Sequence, residues 1–513
     1  MPLYAAIDIG SNSIRMEAAE VVSGQPPRIL ASDREVTRLG ESVFRNGSAS
    51  EDAIERTCAV LTRMASLYRK LEVAGVRAVA TSAVRDSSNQ REFLARASVA
   101  AGTPVELISG REEARLIHLG VESSWPQDGK RVLILDIGGG SAELISAADG
   151  RLRLAFSRPL GAVRLKEIFL EDDPPSPRQL RAMNEYIEEK LAGPVRQLGR
   201  DSWDRAIATS ATAAAVASAV ARVPRSKRED IDRLRVAAVE VRKLYTKVSG
   251  LPLAGRRKIT GIGPRRAEII VPGLAVLAAF LHEFRLPALF YSRAGVRDGV
   301  IADLAARSVG AELSRLAPEQ RTEVETMCRR YGVSLPHARK VADLAQRLFA
   351  SLEPLHRLPP PVGKLIEAAA YLHDVGHFVS PTGHHKHSYY VVANSDMPGF
   401  TDRERLQIAA LCRYHRKALP SPMHHAYQAL SADEKRAVNL AIPLLRLADN
   451  LDRSHDQRIQ EVECRLRDGA VVLQVRARAD IDLEQWGAER ASEAFRHVYN
   501  RQIVLTKARE AHA

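Results

Sequence analysis

A chain of 513 residues is too long for one hydrophobic core and implies three or four domains. Aliphatic residues and alanine dominate and aromatics make up only 5%, which fits a helix-rich α/β protein; no run of eighteen apolar residues offers a membrane span. The formal charge of +13 favours polyanionic partners or simply solubility, but few aromatics interleave with the basic residues, so nucleic acid is not expected.

The first 125 residues alternate between strand and helix patterns. Leu3 to Asp8 reads as a strand, Ile54 to Leu71 as a helix and Val76 to Val84 as a strand. Arg91 to Ala101 then reads as a helix and Pro104 to Ile108 as a strand, implying a mixed sheet flanked by helices. Trp125-Pro126-Gln127-Asp128-Gly129 marks a hinge, and residues 126–305 begin the pattern again with a strand over Arg131 to Asp136. Asp172 to Pro177 is a loop. From Ala306 the texture becomes helical: Pro336 sits at a helix start, Val341, Leu344, Ala345, Leu348 and Phe349 share a face, and Leu358 to Pro361 separates two helices. Near Val462 a small α+β segment begins, with a strand over Val471 to Val475 and a helix containing Ala491, Ala494 and Phe495. Cys58, Cys328, Cys412 and Cys464 are far apart and unpatterned, as in a cytoplasmic protein with reduced thiols, and Met1-Pro2-Leu3-Tyr4 opens no secretory signal.

The tripeptide Asp-Ile-Gly occurs twice, as Asp8-Ile9-Gly10 before Ser11-Asn12-Ser13 and as Asp136-Ile137-Gly138 before Gly139-Gly140-Ser141. A Rossmann or P-loop element requires a helix directly after its glycines. Here Ala142 to Ser146 alternates as a second strand, so the element is strand-turn-strand, with turn amides able to form an anion nest. Asp8 and Asp136 would repel phosphate unless a cation stood between them, which implies Mg²⁺ or Mn²⁺. Two such elements suggest duplicated half-domains that clamp one phosphate chain.

The paired loops resemble the phosphate motifs of the actin and sugar-kinase superfamily. More narrowly, the chain resembles the exopolyphosphatase/guanosine pentaphosphate phosphohydrolase (Ppx/GppA) family. The resemblance is carried by Asp8 to Ser13, Ala80 to Arg85, Ile108 to Arg115 and Asp136 to Glu143. It continues through Arg266 to Ile270, Gly295 to Gly299, His373 to His377 and Arg413 to Lys417. It implies an α/β fold of two actin-like (ribonuclease H-like) domains, 1–125 and 126–305. An all-α HD-like domain, 306–460, and a small α+β C-terminal domain, 461–513, follow. It also implies a homodimer without membrane attachment.

Ser109 and Glu112 fit a capping box, which leaves Glu113, about 100° further round the helix, free for chemistry. Near a helix N-terminus Glu113 is expected to stay ionised, and the family's catalytic glutamate falls at this position. Asp136 and Glu143 complete the catalytic set, and Asp8, Asp136 and Glu143 are the expected metal residues. Gly10, Ser11, Asn12, Ser13, Arg85, Asn89, Gly138, Gly139, Gly140 and Ser141 are the expected phosphate contacts. Ser210 and Thr212 depart from the pattern, since the family often has glycine in this loop.

Further on, the order His337, His373-Asp374, Asp449 resembles the HD phosphohydrolase superfamily and suggests a second divalent metal. His384, His385, Lys386 and His387, together with Arg413, His415, Arg416 and Lys417, form two basic clusters. With Arg266 they are expected to track inorganic polyphosphate, or to contact a pppGpp/ppGpp-type nucleotide. The expected activity is release of orthophosphate from polyphosphate ends. Hydrolysis of pppGpp, phosphate transfer to ADP and nucleotide sensing without turnover are the alternatives.

Overall fold

The structure, a computed structural model, describes residues 2–507 apart from 23, 24, 26, 201, 202, 309–312 and 468. The chain forms two compact units, Met1–Ser308 and Val309–Ala513.

The first unit holds two sheets built to one plan. In the first sheet, β1 (Leu3–Ile9) lies between β2 (Ile14–Glu20) and β4 (Gly75–Ala80), with β3 (Arg28–Glu35) and β5 (Val105–Leu107) at the edges. β1 runs antiparallel to β2 and parallel to β4. In the second sheet β6 (Arg131–Ile137) takes the place of β1, with β7 (Ala142–Ala148) and β8 (Arg151–Arg158) on one side. β9 (Arg205–Thr209), β11 (Ala288–Tyr291) and β10 (Arg235–Ala237) lie on the other. Again the hairpin partner β7 is antiparallel and β9 parallel. The duplication visible in the twin tripeptides is therefore a duplication of whole sheets, as in actin-like folds. β1 and β6 are apolar runs covered on both faces, as central strands require. Each fully buried aliphatic side chain there contributes about 1.5–3 kcal/mol.

Two expected elements differ. The strand over Val76 to Val84 ends at Ala80; Ser82–Asp86 is a short helix, closed by the Arg85 N–H donating to the Thr81 carbonyl at 3.1 Å. Trp125, which opens the segment expected as a hinge, is itself packed against side chains of the second sheet. The Arg205 guanidinium stacks 4.1 Å from the Trp125 ring centroid, and Phe290 meets that ring edge-on.

Helices Gly110–Ser124 and Val296–Ser308 pack closely along one another. The approach requires glycine at 299, where a Cβ would lie 1.7 Å from the Leu116 carbonyl oxygen. Buried ion pairs tie these helices to β4: Arg77 meets Glu106, Glu112 and Asp303, and Arg115 meets Glu112 and Asp303.

The second unit is a helical bundle including Leu335–Ser351, Pro361–Leu372, His384–Asn394, Asp402–Tyr414 and Ala432–Asn450. It ends in β12 (Ile459–Arg467), β13 (Ala470–Ala477), helix Asp482–Tyr499 and β14 (Gln502–Lys507), with β13 central. One apolar core runs from the bundle, through Leu444 and Leu445, into Val471, Leu473 and Phe495 of this small sheet and its helix. Among the described residues no helix is long and apolar enough to cross a membrane.

Candidate functional site

The two Asp-Ile-Gly turns close in the same way. The Gly10 N–H donates to the Ser13 carbonyl at 3.2 Å, and the Gly138 N–H donates to the Ser141 carbonyl at 2.9 Å. They face each other so closely that a Cβ on Gly139 would lie 2.9 Å from the Ser11 Cβ. Between them opens a cavity of about 710 Å³ lined by Asp8, Gly10, Ser11, Asn12, Ser13, Glu113, Asp136 and Gly138 to Ser141. The buried Ser11 hydroxyl finds no hydrogen-bond partner among the described residues, and it sits where a phosphate oxygen could supply one.

Strand register explains the acidic floor. Asp136 pairs across the hairpin with Glu143, whose carboxylate is buried and accepts from the Ser157 hydroxyl at 2.8 Å. Ser109 caps the helix that carries Glu113, accepting from the Glu112 N–H; the Glu112 carboxylate is committed to Arg77 and Arg115. Glu113 is only 7% exposed rather than solvated. Its Oε2 accepts from both terminal nitrogens of Arg85 at 3.2 Å.

The carboxylates oppose one another. Burial and Glu143 push Glu113 up to about 8, outweighing Arg85. Burial and Glu113 push Asp136 up to about 7, and burial with Asp136 does the same to Glu143. Burial likewise raises Asp8 against Arg15 and Arg297. The expectation that the helix N-terminus keeps Glu113 ionised is thus corrected: burial beside like charge outweighs a terminal dipole. An all-oxygen set in mutual repulsion fits a hard divalent cation such as Mg²⁺ or Mn²⁺.

Two expected phosphate contacts are occupied otherwise. Asn89 exchanges hydrogen bonds of 3.0 Å with the backbone of Ala49 and accepts from Ser87, so it braces a loop. Arg85 holds Glu113 and the Ile108 carbonyl, and neither residue lines the cavity. Ser210 does line it, with φ of 92°, a left-handed conformation that favours glycine; its hydroxyl accepts from the Thr212 N–H at 3.2 Å.

The basic wall was largely illegible in the sequence. Arg15, Arg34, Arg228, Arg266, Arg293 and Arg297 all line the cavity. Only Arg297 is ion-paired among the described residues, with Glu17 at 2.7 Å. Arg266 is pushed down to about 9 by burial and by Arg15, Arg34 and Arg228; Arg34 falls to about 10 through burial and Arg15. Guanidiniums that crowd one another with few direct ion pairs form an anion site. One of them had a signal in the repeat. Arg15 pairs with Asp8 across its hairpin as Glu143 pairs with Asp136, so corresponding positions carry a cation on one jaw and a carboxylate on the other.

In the second unit His337, His373 and Asp449 bring one ligand atom each within 4.8 Å of one another, and Asp374 Oδ2 lies 3.6 Å from His373 Nε2. The two expected basic clusters meet, with His384 Nε2 3.2 Å from His415 Nε2, but not as a solvated track. His384, His385 and His415 are buried. Burial and His373 drive His415 down to about 3, and burial with Arg413 drives His385 to about 4. Lys386, His387, Arg413, Arg416 and Lys417 lie around them, whereas Arg266 belongs to the cavity of the first unit.

The Ppx/GppA phosphatase family model matches residues 18–308, and the model of Ppx/GppA phosphatase domain III matches residues 320–486. A Ppx/GppA family structure from Aquifex aeolicus is 28% identical with a TM-score of 0.54, covering 60% of this chain and 99% of its own. An exopolyphosphatase-like protein is 26% identical with a TM-score of 0.57, covering 60% of this chain and 98% of its own. An exopolyphosphatase from Cytophaga hutchinsonii, 24% identical with a TM-score of 0.56 over 59% of this chain and 98% of its own, shares the fold. With a family match across both sheets and a cavity between their twin turns, the chain belongs to the Ppx/GppA phosphatase family.

Proposed function

We propose that this protein is an exopolyphosphatase that hydrolyses the terminal phosphoanhydride of inorganic polyphosphate. The observation that carries this reading is the juxtaposition in one cavity of the Asp8, Glu113 and Asp136 carboxylates, with Glu143 buried beside Asp136, and a wall of arginines. The floor suits the reacting phosphoryl group with its cation, and the wall suits the phosphates behind it. Tyr291 is the one aromatic side chain among the described lining residues, which favours a phosphate chain over a purine base such as that of pppGpp.

The turn amides and the Ser11 hydroxyl cradle the terminal phosphoryl group, and Glu113, oriented by Arg85, accepts the proton of the attacking water. The bond from the terminal phosphorus to its bridging oxygen breaks, releasing orthophosphate and a chain one unit shorter. Asp8, Asp136 and Glu143 would hold Mg²⁺ or Mn²⁺, which would supply the positive charge that offsets the repulsion raising Glu113 and favours charge on the phosphoryl oxygens. His337, His373, Asp374 and Asp449 would hold a separate divalent ion in an HD-like second unit. The protein would act in the cytoplasm as a homodimer.

Protein supplied with Mg²⁺ is given long-chain polyphosphate, pppGpp, or polyphosphate with ADP, and the products are separated. Orthophosphate from polyphosphate is the expected result. ATP formation alone would establish the transferase reading instead, and no product from any substrate would overturn catalysis.

A further inference from the structure

The glycine turn of the second jaw has its carbonyls held from behind. The Ala162 N–H donates to the Gly138 carbonyl at 3.0 Å, and the Val163 and Arg164 N–H groups donate to the Gly139 carbonyl at 2.8 and 3.1 Å. These donors open helix Ala162–Phe169, on the side of the turn away from the cavity lining. The approach requires glycine at 161, where a Cβ would lie 2.3 Å from backbone atoms of Gly139 and Gly140. The next helix amide, of Leu165, is already bonded to the Gly161 carbonyl at 3.0 Å. The Gly140 carbonyl is taken by the Arg164 side chain instead, with Nε donating at 2.7 Å. In a trans peptide the C=O of one residue and the N–H of the next point in opposite directions. Three carbonyls held toward the helix therefore turn the Gly139, Gly140 and Ser141 N–H groups toward the cavity. None of these three donates to a described residue.

The same guanidinium reaches the opposite jaw. Its Nη2 donates to the Ser82 hydroxyl at 3.1 Å and pairs with the Asp86 carboxylate. Its Cζ lies 4.1 Å from the centre of the Phe44 ring. Phe44 and Ser82 also press on the turn itself, since a Cβ on Gly140 would lie 2.5 Å from each. Phe44, Ser82 and Asp86 all belong to the first jaw. One side chain thus grips a phosphate-facing peptide of one jaw and three groups of the other. Parting the jaws would pull it away from one set or the other.

We propose that Arg164 is a positioning residue that couples closure of the two jaws to the anion-binding form of the Gly138–Ser141 turn. In the closed form Phe44, Ser82 and Asp86 fix the guanidinium. Its Nε then fixes the Gly140 carbonyl, so that the Ser141 N–H meets a phosphoryl oxygen. With the jaws apart the guanidinium loses those three partners, and the Gly140–Ser141 peptide can rotate about the unbranched Gly140 backbone. The three-amide nest is therefore complete only when the jaws close. This role rests on the reading of the cavity as a phosphoryl site, not on which phosphate compound enters it.

The test measures, on the full-length protein, the calorimetric Kd for orthovanadate with Mg²⁺, as a mimic of the phosphoryl group in transfer. kcat/KM and the Kd for long-chain polyphosphate are measured beside it. One preorganised donor is worth about 10²–10³-fold, so Arg164→Ala should lower kcat/KM and weaken vanadate by about that factor. The polyphosphate Kd should stay nearly unchanged, because the arginine wall is intact. Arg164→Lys keeps the charge but not the planar fork, and should lose as much. Asp86→Ala, at an exposed position, should lose less and should add nothing in the Arg164→Ala background. Should Arg164→Ala fail to fold, Arg164→Lys and Asp86→Ala carry the same comparison. An unchanged vanadate Kd in the Arg164 variants would overturn the proposal, including where the number of polyphosphate sites per chain falls, since Arg164 would then only support the fold. Losses from Arg164→Ala and Asp86→Ala that multiply would refute the coupling. Wild-type protein that binds vanadate but turns over no substrate would sink the proposed activity while the vanadate comparison still decided the role of Arg164; no vanadate binding in the wild type would overturn that role too.

Discussion

Replacing Glu113 by glutamine separates chemistry from binding in the proposed reaction. The glutamine amide has the shape of the carboxylate, and its carbonyl oxygen can still accept from Arg85, which contacts Glu113 Oε2 through both terminal nitrogens at 3.2 Å. The arginine wall and both turns are untouched. What disappears is the capacity to take a proton from water. General-base catalysis contributes about 10²–10⁴-fold, so kcat on polyphosphate should fall by that factor, or about 3–5 kcal/mol. The Kd for polyphosphate, measured by titration of the variant, should stay the same or tighten, because a buried acid repelled by Glu143 has been removed from an anion site. The assay is orthophosphate release under single-turnover conditions with Mg²⁺. A loss in kcat below tenfold would refute Glu113 as the base. A large loss confined to Kd would show instead that Glu113 holds the substrate or its cation.

Three further outcomes follow from other parts of the molecule. Arg34→Ala removes a cavity-lining guanidinium with no ion pair among the described residues; at about 1.5–3 kcal/mol for a hydrogen bond to a charged group, KM for long chains should rise about tenfold or more, and an unchanged KM would remove Arg34 from the substrate path. Gly299→Ala drives a methyl group onto the Leu116 carbonyl, so the urea midpoint should drop by the equivalent of about 1–3 kcal/mol; an unshifted midpoint would mean the helices separate freely. His118 is buried with neither ring nitrogen partnered among the described residues, and burial, helped by Arg115, pushes it down to about 4. The unfolded chain therefore binds its proton first as pH falls through 6.5, and stability should decline between pH 6.5 and 4 by about 3 kcal/mol. His118→Leu should flatten that part of the stability curve, and an identical slope in the variant would show that other groups set it.

Residues adjacent in sequence were enough to define the local pieces. The apolar run into Asp8-Ile9-Gly10 and its copy at Asp136-Ile137-Gly138 specified a central strand, a tight turn and a second strand, because alternation after the glycines is a backbone-level signal. Ser109 specified a helix start three residues before Glu112 for the same reason. Asn89 and Arg85 were misplaced because a polar residue after a strand has the same local pattern whether it meets phosphate, the Ala49 backbone or Glu113. The arginine wall gathers residues from β2, β3, the loop after β11, the start of helix Val296–Ser308 and the segments around Arg228 and Arg266, up to about 280 positions apart, and only the tertiary fold brings them to one cavity. Burial decided the rest. The sequence alone establishes that Glu113 follows Glu112 and that His384 and His415 are histidines; it carries no dielectric. Closing the two jaws excludes water from four carboxylates and raises their proton affinity, and closing the bundle turns two expected surface cations into neutral imidazoles facing one another across 3.2 Å.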